Sequence, residues 1–252
     1  MAIWNDPQPS QTGLGAASWM NAPYGAAARD AGLRAYMLRI YNFMASGVLV
    51  SGIVAIAMAS LLEQHNPLAM ALLFSPLRWL VILAPFAFIL AMSFGFMRMQ
   101  NSTLQALFWA FCAVMGVSLS TVLLVYTGSS VAATFFATTG AFAGLSLVGY
   151  TTKRNLSAMG TFLTMGLFGL IIAMLINAFF PSPGLSMGIS LIGVLIFAGL
   201  TAWDTQRLKG MYLQVAGTPY AEKAAIMGAL TLYLDFVNMF MFLLRFMGDQ
   251  RR

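Results

Sequence analysis

Seven long apolar runs succeed one another along this chain: Leu38–Leu62, Trp79–Phe96, Leu104–Tyr126, Val131–Tyr150, Met159–Phe180, Leu185–Trp203 and Ala224–Met247. Each matches or approaches the roughly 20 residues that carry a helix, at about 1.5 Å per residue, across about 30 Å of hydrocarbon. Water is the wrong solvent for such a chain, in which 60% of residues are hydrophobic and 8% charged, with a mean hydropathy of +0.82. The runs are continuous and do not alternate polar with apolar, which excludes an outer-membrane barrel. The expected fold is all-α: a polytopic membrane protein whose residues 33–252 form a seven-transmembrane-helix bundle.

Residues 1–32 differ in kind. They are rich in Ala, Gly, Pro, Ser, Gln and Asn, and hold too few large apolar groups to offset chain entropy, so a flexible N-terminal tail is expected there. The segment lacks a basic stretch followed by an apolar one, so it does not read as a signal peptide, and the first span is expected to act as its own insertion signal. The single cysteine, Cys112, lies within a span and allows no disulfide framework or multi-cysteine metal site within one chain. His65, alone in a loop beside Glu63, has no spaced Cys or His companions and does not read as a zinc ligand. No resident cofactor is expected.

Basic residues set the orientation. If the N-terminus is cytoplasmic, Arg29, Arg34, Arg39, Arg98, Lys153, Arg154, Arg207, Lys209 and Lys223 fall on the cytoplasmic side, and the opposite loops hold only Arg78. Arg245, Arg251 and Arg252 then fall outside, so either a short tail escapes the rule or the last segment re-enters without crossing; crossing is favoured. The net charge of +6 fits loops that face anionic lipid and gives no reason to invoke nucleic acid. Gly140 with Gly144, and Gly184 with Gly188, each lie four residues apart on one helix face, a spacing that permits close helix approach. Pro181 and Pro183 break the chain tightly between the fifth and sixth spans.

Function is expected where the acids are. The chain has seven Asp and Glu, and five of them, Asp6, Asp30, Glu63, Glu222 and Asp249, lie in tails or loops. Asp235 stands near the middle of the last span, where an ionisable residue costs roughly 2.5 to 3.5 kcal/mol and is by default a functional candidate in need of a partner. Asn238, three residues on, shares its face and could bond a neutral carboxyl there. The better partner is Asp204, near the end of the preceding apolar run; the lesser alternative for Asp204 is to pair with Arg207 one turn away at the membrane surface. Two carboxylates meeting in a low-dielectric bundle cannot easily both ionise, so one proton is shared and the pair is expected to titrate near neutral pH. Arg98 could reach one of them and complete a latch. Depth is the difficulty, since one aspartate reads as terminal and the other as central. Asn177 in the fifth span could line a pathway or simply bond across helices.

Three motifs carry a resemblance. Gly144-Leu-Ser-Leu-Val-Gly-Tyr-Thr-Thr-Lys-Arg-Asn-Leu-Ser157, Phe197-Ala-Gly-Leu-Thr-Ala-Trp-Asp-Thr-Gln-Arg207, and Leu232-Tyr-Leu-Asp-Phe-Val-Asn-Met-Phe240 with Leu244-Arg-Phe246 resemble, in order, the signatures of the Bax inhibitor family, the transmembrane Bax inhibitor motif proteins. The resemblance covers about Leu38 to Gly248 and implies a seven-helix bundle in which Asp204 and Asp235 form a pH-sensing pair with Arg98. It also implies a pH-sensitive calcium leak. Trp203 stands where the family pattern usually has Tyr, and Asn155 where it has Asp; the second change puts in doubt any calcium contact at that loop. The bacterial character of the motifs points to a cytoplasmic (inner) membrane.

The leading expectation is a calcium-permeable leak channel or exchanger, opened by protonation of Asp204 and Asp235, with Asn238 and Asn177 as supporting polar groups and the two carboxylates touching calcium as it passes. Hard cations need oxygen ligands, which carboxylates in an aqueous path supply. The alternative, from a different class, is a non-transporting regulator that binds a membrane-bound protease or another membrane complex, with the tail as its handle. Catalysis is not expected: neither aspartate carries the Gly-x-Gly-Asp pattern of intramembrane aspartyl proteases, Asp204 following Thr201-Ala202-Trp203 and Asp235 following Leu232-Tyr233-Leu234.

Overall fold

The computed structural model describes residues 23–251, with side chains from Ala28 onward. Residues 1–22 of the expected tail, and Arg252, lie outside the described residues. Eight helices follow: α1 (Pro23–Glu63), α2 (Pro67–Phe74), α3 (Arg78–Gly95), α4 (Asn101–Val125), α5 (Gly128–Thr151), α6 (Ser157–Phe179), α7 (Pro183–Val215) and α8 (Ala221–Met247). All but α2 are long and apolar enough to cross a membrane, seven among the described residues, and they coincide with the seven runs read from the sequence. Helix α1 takes in residues 23–32 of the segment expected as a tail.

Local chemistry sets the breaks. Helix α1 stops where His65 adopts a left-handed φ of 56° and its N–H and that of Asn66 turn back to the carbonyls of Leu62 and Leu61, the paired bonds of a Schellman cap. This is the structural role of the lone histidine. Asn66 then caps α2, its Oδ1 accepting from Leu68 N at 3.0 Å, with Pro67 opening the helix. Pro183 opens α7 in the same way.

Helix α8 is the axis of the bundle. It packs against α1, α4, α5 and α7, whereas α6 leans mainly on α7 and α3 on α4. The most apolar stretch of α8 is 67% buried, against 6% for that of α6, which separates an enclosed helix from one facing lipid. Tyr233, fully buried, stands edge-on to Phe108 and Phe111 of α4 and shares a 2.7 Å hydrogen bond with Ser51 of α1. The Ser51 hydroxyl also contacts the Cys112 carbonyl at 2.7 Å, so one small side chain ties three helices.

Helix α8 also runs the bundle from end to end. At its start, Glu222 accepts from Asn101 Nδ2 at 2.5 Å and Gln105 Nε2 at 2.9 Å, both at the start of α4. Past its end, Arg251 N donates to Val125 O at 2.8 Å and Thr127 N to Asp249 O at 3.0 Å, at the far end of α4. Arg251 closes this strap on Glu63 at 3.1 Å. The last segment therefore traverses the bundle and does not re-enter.

Close approach falls on other glycines than those expected. A side chain at Gly116 would meet the Ser51 carbonyl at 2.6 Å, and one at Gly47 would meet Phe108 and Cys112 at 2.8 Å, so these two let α1 and α4 touch. Gly140, Gly144, Gly184 and Gly188 face open space, and the four-residue spacing at these positions does not mark a packed face.

Candidate functional site

The depth difficulty disappears because α7 does not end with its apolar run. It continues as helix to Val215, so that 11 residues (204 to 215) separate Asp204 from its end, while 14 (221 to 235) separate Asp235 from the start of α8. At about 1.5 Å per residue the two stand roughly 16 and 21 Å from the turn that joins these antiparallel helices. They meet. Each is 5% exposed, and their carboxyl groups lie within hydrogen-bonding reach of each other.

Charge balance around the pair is spare. Asp204 Oδ1 and Asp235 Oδ2 are buried without a hydrogen-bond donor, and the Arg207 guanidinium lies 3.4 Å from Asp204 Oδ1. Two ionised carboxylates in contact, out of water, would repel each other and forfeit hydration together, and one cation, Arg207, stands beside them. Arg207 is itself half-exposed and lies over the Trp203 ring at 5.1 Å. The pair is therefore enclosed, while its cation reaches the surface.

The residues after Asp204 each engage a different neighbour. Thr205 Oγ1 donates to Ser146 Oγ of α5 at 3.3 Å, with the Tyr41 hydroxyl of α1 in reach of both. Gln206 accepts from Leu156 N and donates to Arg154 O, both at 2.8 Å, and so clamps the loop between α5 and α6. Lys209 Nζ donates to Tyr150 O at 2.7 Å. One turn of α7 thus fixes α1, α5, α8 and a loop around the aspartates, which explains why the acid is embedded in a run of polar residues. A side chain at Gly149 would collide with the Ala202 backbone, so α5 and α7 are in contact beside the pair.

The other sequence candidates make contacts of their own. Arg98 is exposed in the turn after α3, and the cation that pairs with Asp204 is Arg207. Asn238 donates to Leu234 O at 2.8 Å on its own helix. Asn177 donates to Ser186 Oγ at 2.9 Å and accepts from Ser182 N at 3.2 Å, stapling the turn between α6 and α7. Asn155 accepts from Ser157 N at 2.9 Å and shapes the entry to α6. Trp203 occupies the space left by the missing side chain of Gly160 on α6. Among the described residues no group of three or more His, Cys, Asp and Glu could hold a metal ion. Calcium takes six to eight oxygens, more than the pair alone can present.

Comparison with known proteins supplies the family context. A family model described as inhibitor of apoptosis-promoting Bax1 matches residues 33–252. A Rickettsia prowazekii protein is 45% identical over 222 residues, covering 88% of this chain and 92% of the relative. A Caulobacter vibrioides protein is 45% identical over 233 residues, covering 88% and 91%. The Escherichia coli inner membrane protein YbhL is 40% identical over 225 residues, covering 88% and 94%.

Proposed function

This chain belongs to the Bax inhibitor family, and from that premise we propose that it is a pH-sensitive, calcium-permeable leak channel or exchanger gated by Asp204 and Asp235. The observation that carries the reading is the contact of two almost fully buried carboxyls across α7 and α8, beside a single half-exposed arginine. A hydrogen bond from a protonated to an ionised carboxyl is charge-assisted and about twice as strong as a neutral one. While one proton is shared, it holds α7 to α8 and keeps the bundle shut. Acid adds the second proton, replaces that bond by a neutral one and discharges the partner of Arg207. The two helices are then free to part, and the oxygens they expose are of the kind calcium prefers.

Orientation follows from the same charges that frame the site. We place the basic end of the bundle, with Arg34, Lys153, Arg154, Arg207 and Lys209, in the cytoplasm, and the N-terminus with it. The membrane is the bacterial inner membrane, that of YbhL.

The test is calcium influx into dye-loaded proteoliposomes at about pH 6 and about pH 8. The expected result is a larger influx at the lower pH for the wild type. No influx at either pH, from protein shown to be inserted and folded, would overturn this reading and favour a non-transporting role in a membrane complex.

A further inference from the structure

Helices α1 and α5 each pack on α8 and leave a seam between themselves. Two cavities open along it. One, of about 460 Å³, lies at the basic end between Arg34, Leu38 and Tyr41 of α1 and Phe142, Ser146 and Leu147 of α5. The other, of about 530 Å³, lies toward Glu63 and Arg251 at the opposite end. Phe142, which lines the first, stands edge-on to Phe236, which lines the second, at 5.6 Å between ring centres, and the pair divides them.

The first cavity is poorly built for an ion. No carboxylate lines it, and its walls are Met37, Leu38, Phe142, Ala143 and Leu147, in a bundle whose outer face is lipid. Its mouth is the opposite in character. Arg34 is exposed there and forms no salt bridge among the described residues. Tyr150 lies beside it, with the Lys209 ammonium held on the Tyr150 carbonyl at 2.7 Å and two of its N–H groups to spare. An apolar slot between two membrane helices, with a guanidinium in its lining and an ammonium on the backbone of a lining tyrosine, matches a hydrocarbon chain that ends in an anionic phosphate.

We propose that this cavity is a binding site for an anionic glycerophospholipid, with its phosphate at Arg34 and one acyl chain between α1 and α5 against Leu38, Phe142 and Leu147. The proposal stands apart from the calcium reading and is tested without any flux. The bound chain would lie against Ser146, whose hydroxyl takes the hydrogen bond from Thr205, the residue that follows Asp204. The lipid would thus form part of the wall behind the aspartate pair.

The experiment reconstitutes the full chain in vesicles of equal phosphatidylglycerol and phosphatidylcholine, exchanges it into mild detergent, and weighs the intact protein with its retained lipid. One phosphatidylglycerol should be kept in preference to phosphatidylcholine. Arg34→Gln should lower that preference about fivefold, the equivalent of the ~1 kcal/mol that one basic residue contributes near a membrane surface. Leu147→Trp, or Ala143→Phe if the first folds poorly, should fill the slot and displace either lipid. Leu49→Trp, on the lipid face outside the cavity, should change neither result. Equal retention of the two lipids, an unchanged preference in Arg34→Gln, or lipid kept by a folded slot-filling variant would each overturn the assignment.

Discussion

Arg207 stands one helical turn beyond Asp204 on α7, 3.4 Å from its carboxylate, so the aspartate and its counter-charge belong to the same helix while the second acid comes from another. In the gating proposed above, protonation leaves α7 intact and acts on the contact between α7 and α8. Asp235→Asn should remove the pH response, because an amide keeps the shape and can donate one hydrogen bond to Asp204 but cannot titrate. The measurement is calcium influx at about pH 6 and about pH 8, where equal rates are expected. An influx that still rises with acid would count against the pair as the gate.

The two arginines can be told apart. Arg207→Gln removes the charge that favours an ionised Asp204, so acid should open the protein at a higher pH than in the wild type. Arg98→Gln should leave the midpoint where it was, since Arg98 is exposed in the turn after α3. A pH titration of influx for the two variants side by side decides between them, and a shift in Arg98→Gln alone would reverse the assignment made here.

Tyr233 and Ser51 offer a stability test away from the acids. Tyr233→Phe should cost about 0.5 to 1.5 kcal/mol, since Ser51 keeps its 2.7 Å contact with the Cys112 carbonyl. Ser51→Ala should cost more, about 1 to 3 kcal/mol, because it strands a fully buried phenol. Thermal unfolding in detergent gives the order, and a reversed order would show that the phenol finds another partner.

Glycine contacts make a third comparison. Gly116→Ala sets a methyl 2.6 Å from the Ser51 backbone carbonyl, which cannot move aside as a side chain can, and should cost about 1 to 3 kcal/mol. Gly140→Ala meets open space and should be neutral or slightly stabilising. Comparable losses from both would mean that α5 has a packing partner at Gly140.

Span positions were legible in the sequence because hydrocarbon selects for apolar side chains over a fixed length. The run Val131–Tyr150 became helix Gly128–Thr151, and Met159–Phe180 became Ser157–Phe179. Legibility failed where a helix leaves the hydrocarbon and keeps going. After Trp203 the sequence turns polar, but Asp204–Val215 contains no proline, and Gln206, Arg207, Lys209 and Met211 favour helix, so α7 continues and carries Asp204 to the depth of Asp235. Helix α2 was missed because an eight-residue element cannot span a membrane, although Asn66-Pro67 is a start signal for a helix. The aspartates stood out as costly residues in apolar surroundings. Their cation was legible only as an alternative, since the i, i+3 spacing offered Arg207 to Asp204 while Arg98 was also in view, and the fold shows that Asp204 touches both Arg207 and Asp235. Spacing likewise tells that glycines share a face without telling what that face meets.

The central position of α8 bears on how the protein is made. Ribosomes deliver α1, α4, α5 and α7 before α8, so the four helices that enclose it must wait in the bilayer without their common core. Until the last helix arrives, the buried hydroxyl of Ser51 lacks Tyr233 and Asp204 lacks Asp235. Nascent chains halted before Ala221 should therefore be strongly exposed to membrane quality control, and the aspartate pair can form only once α8 has joined the bundle.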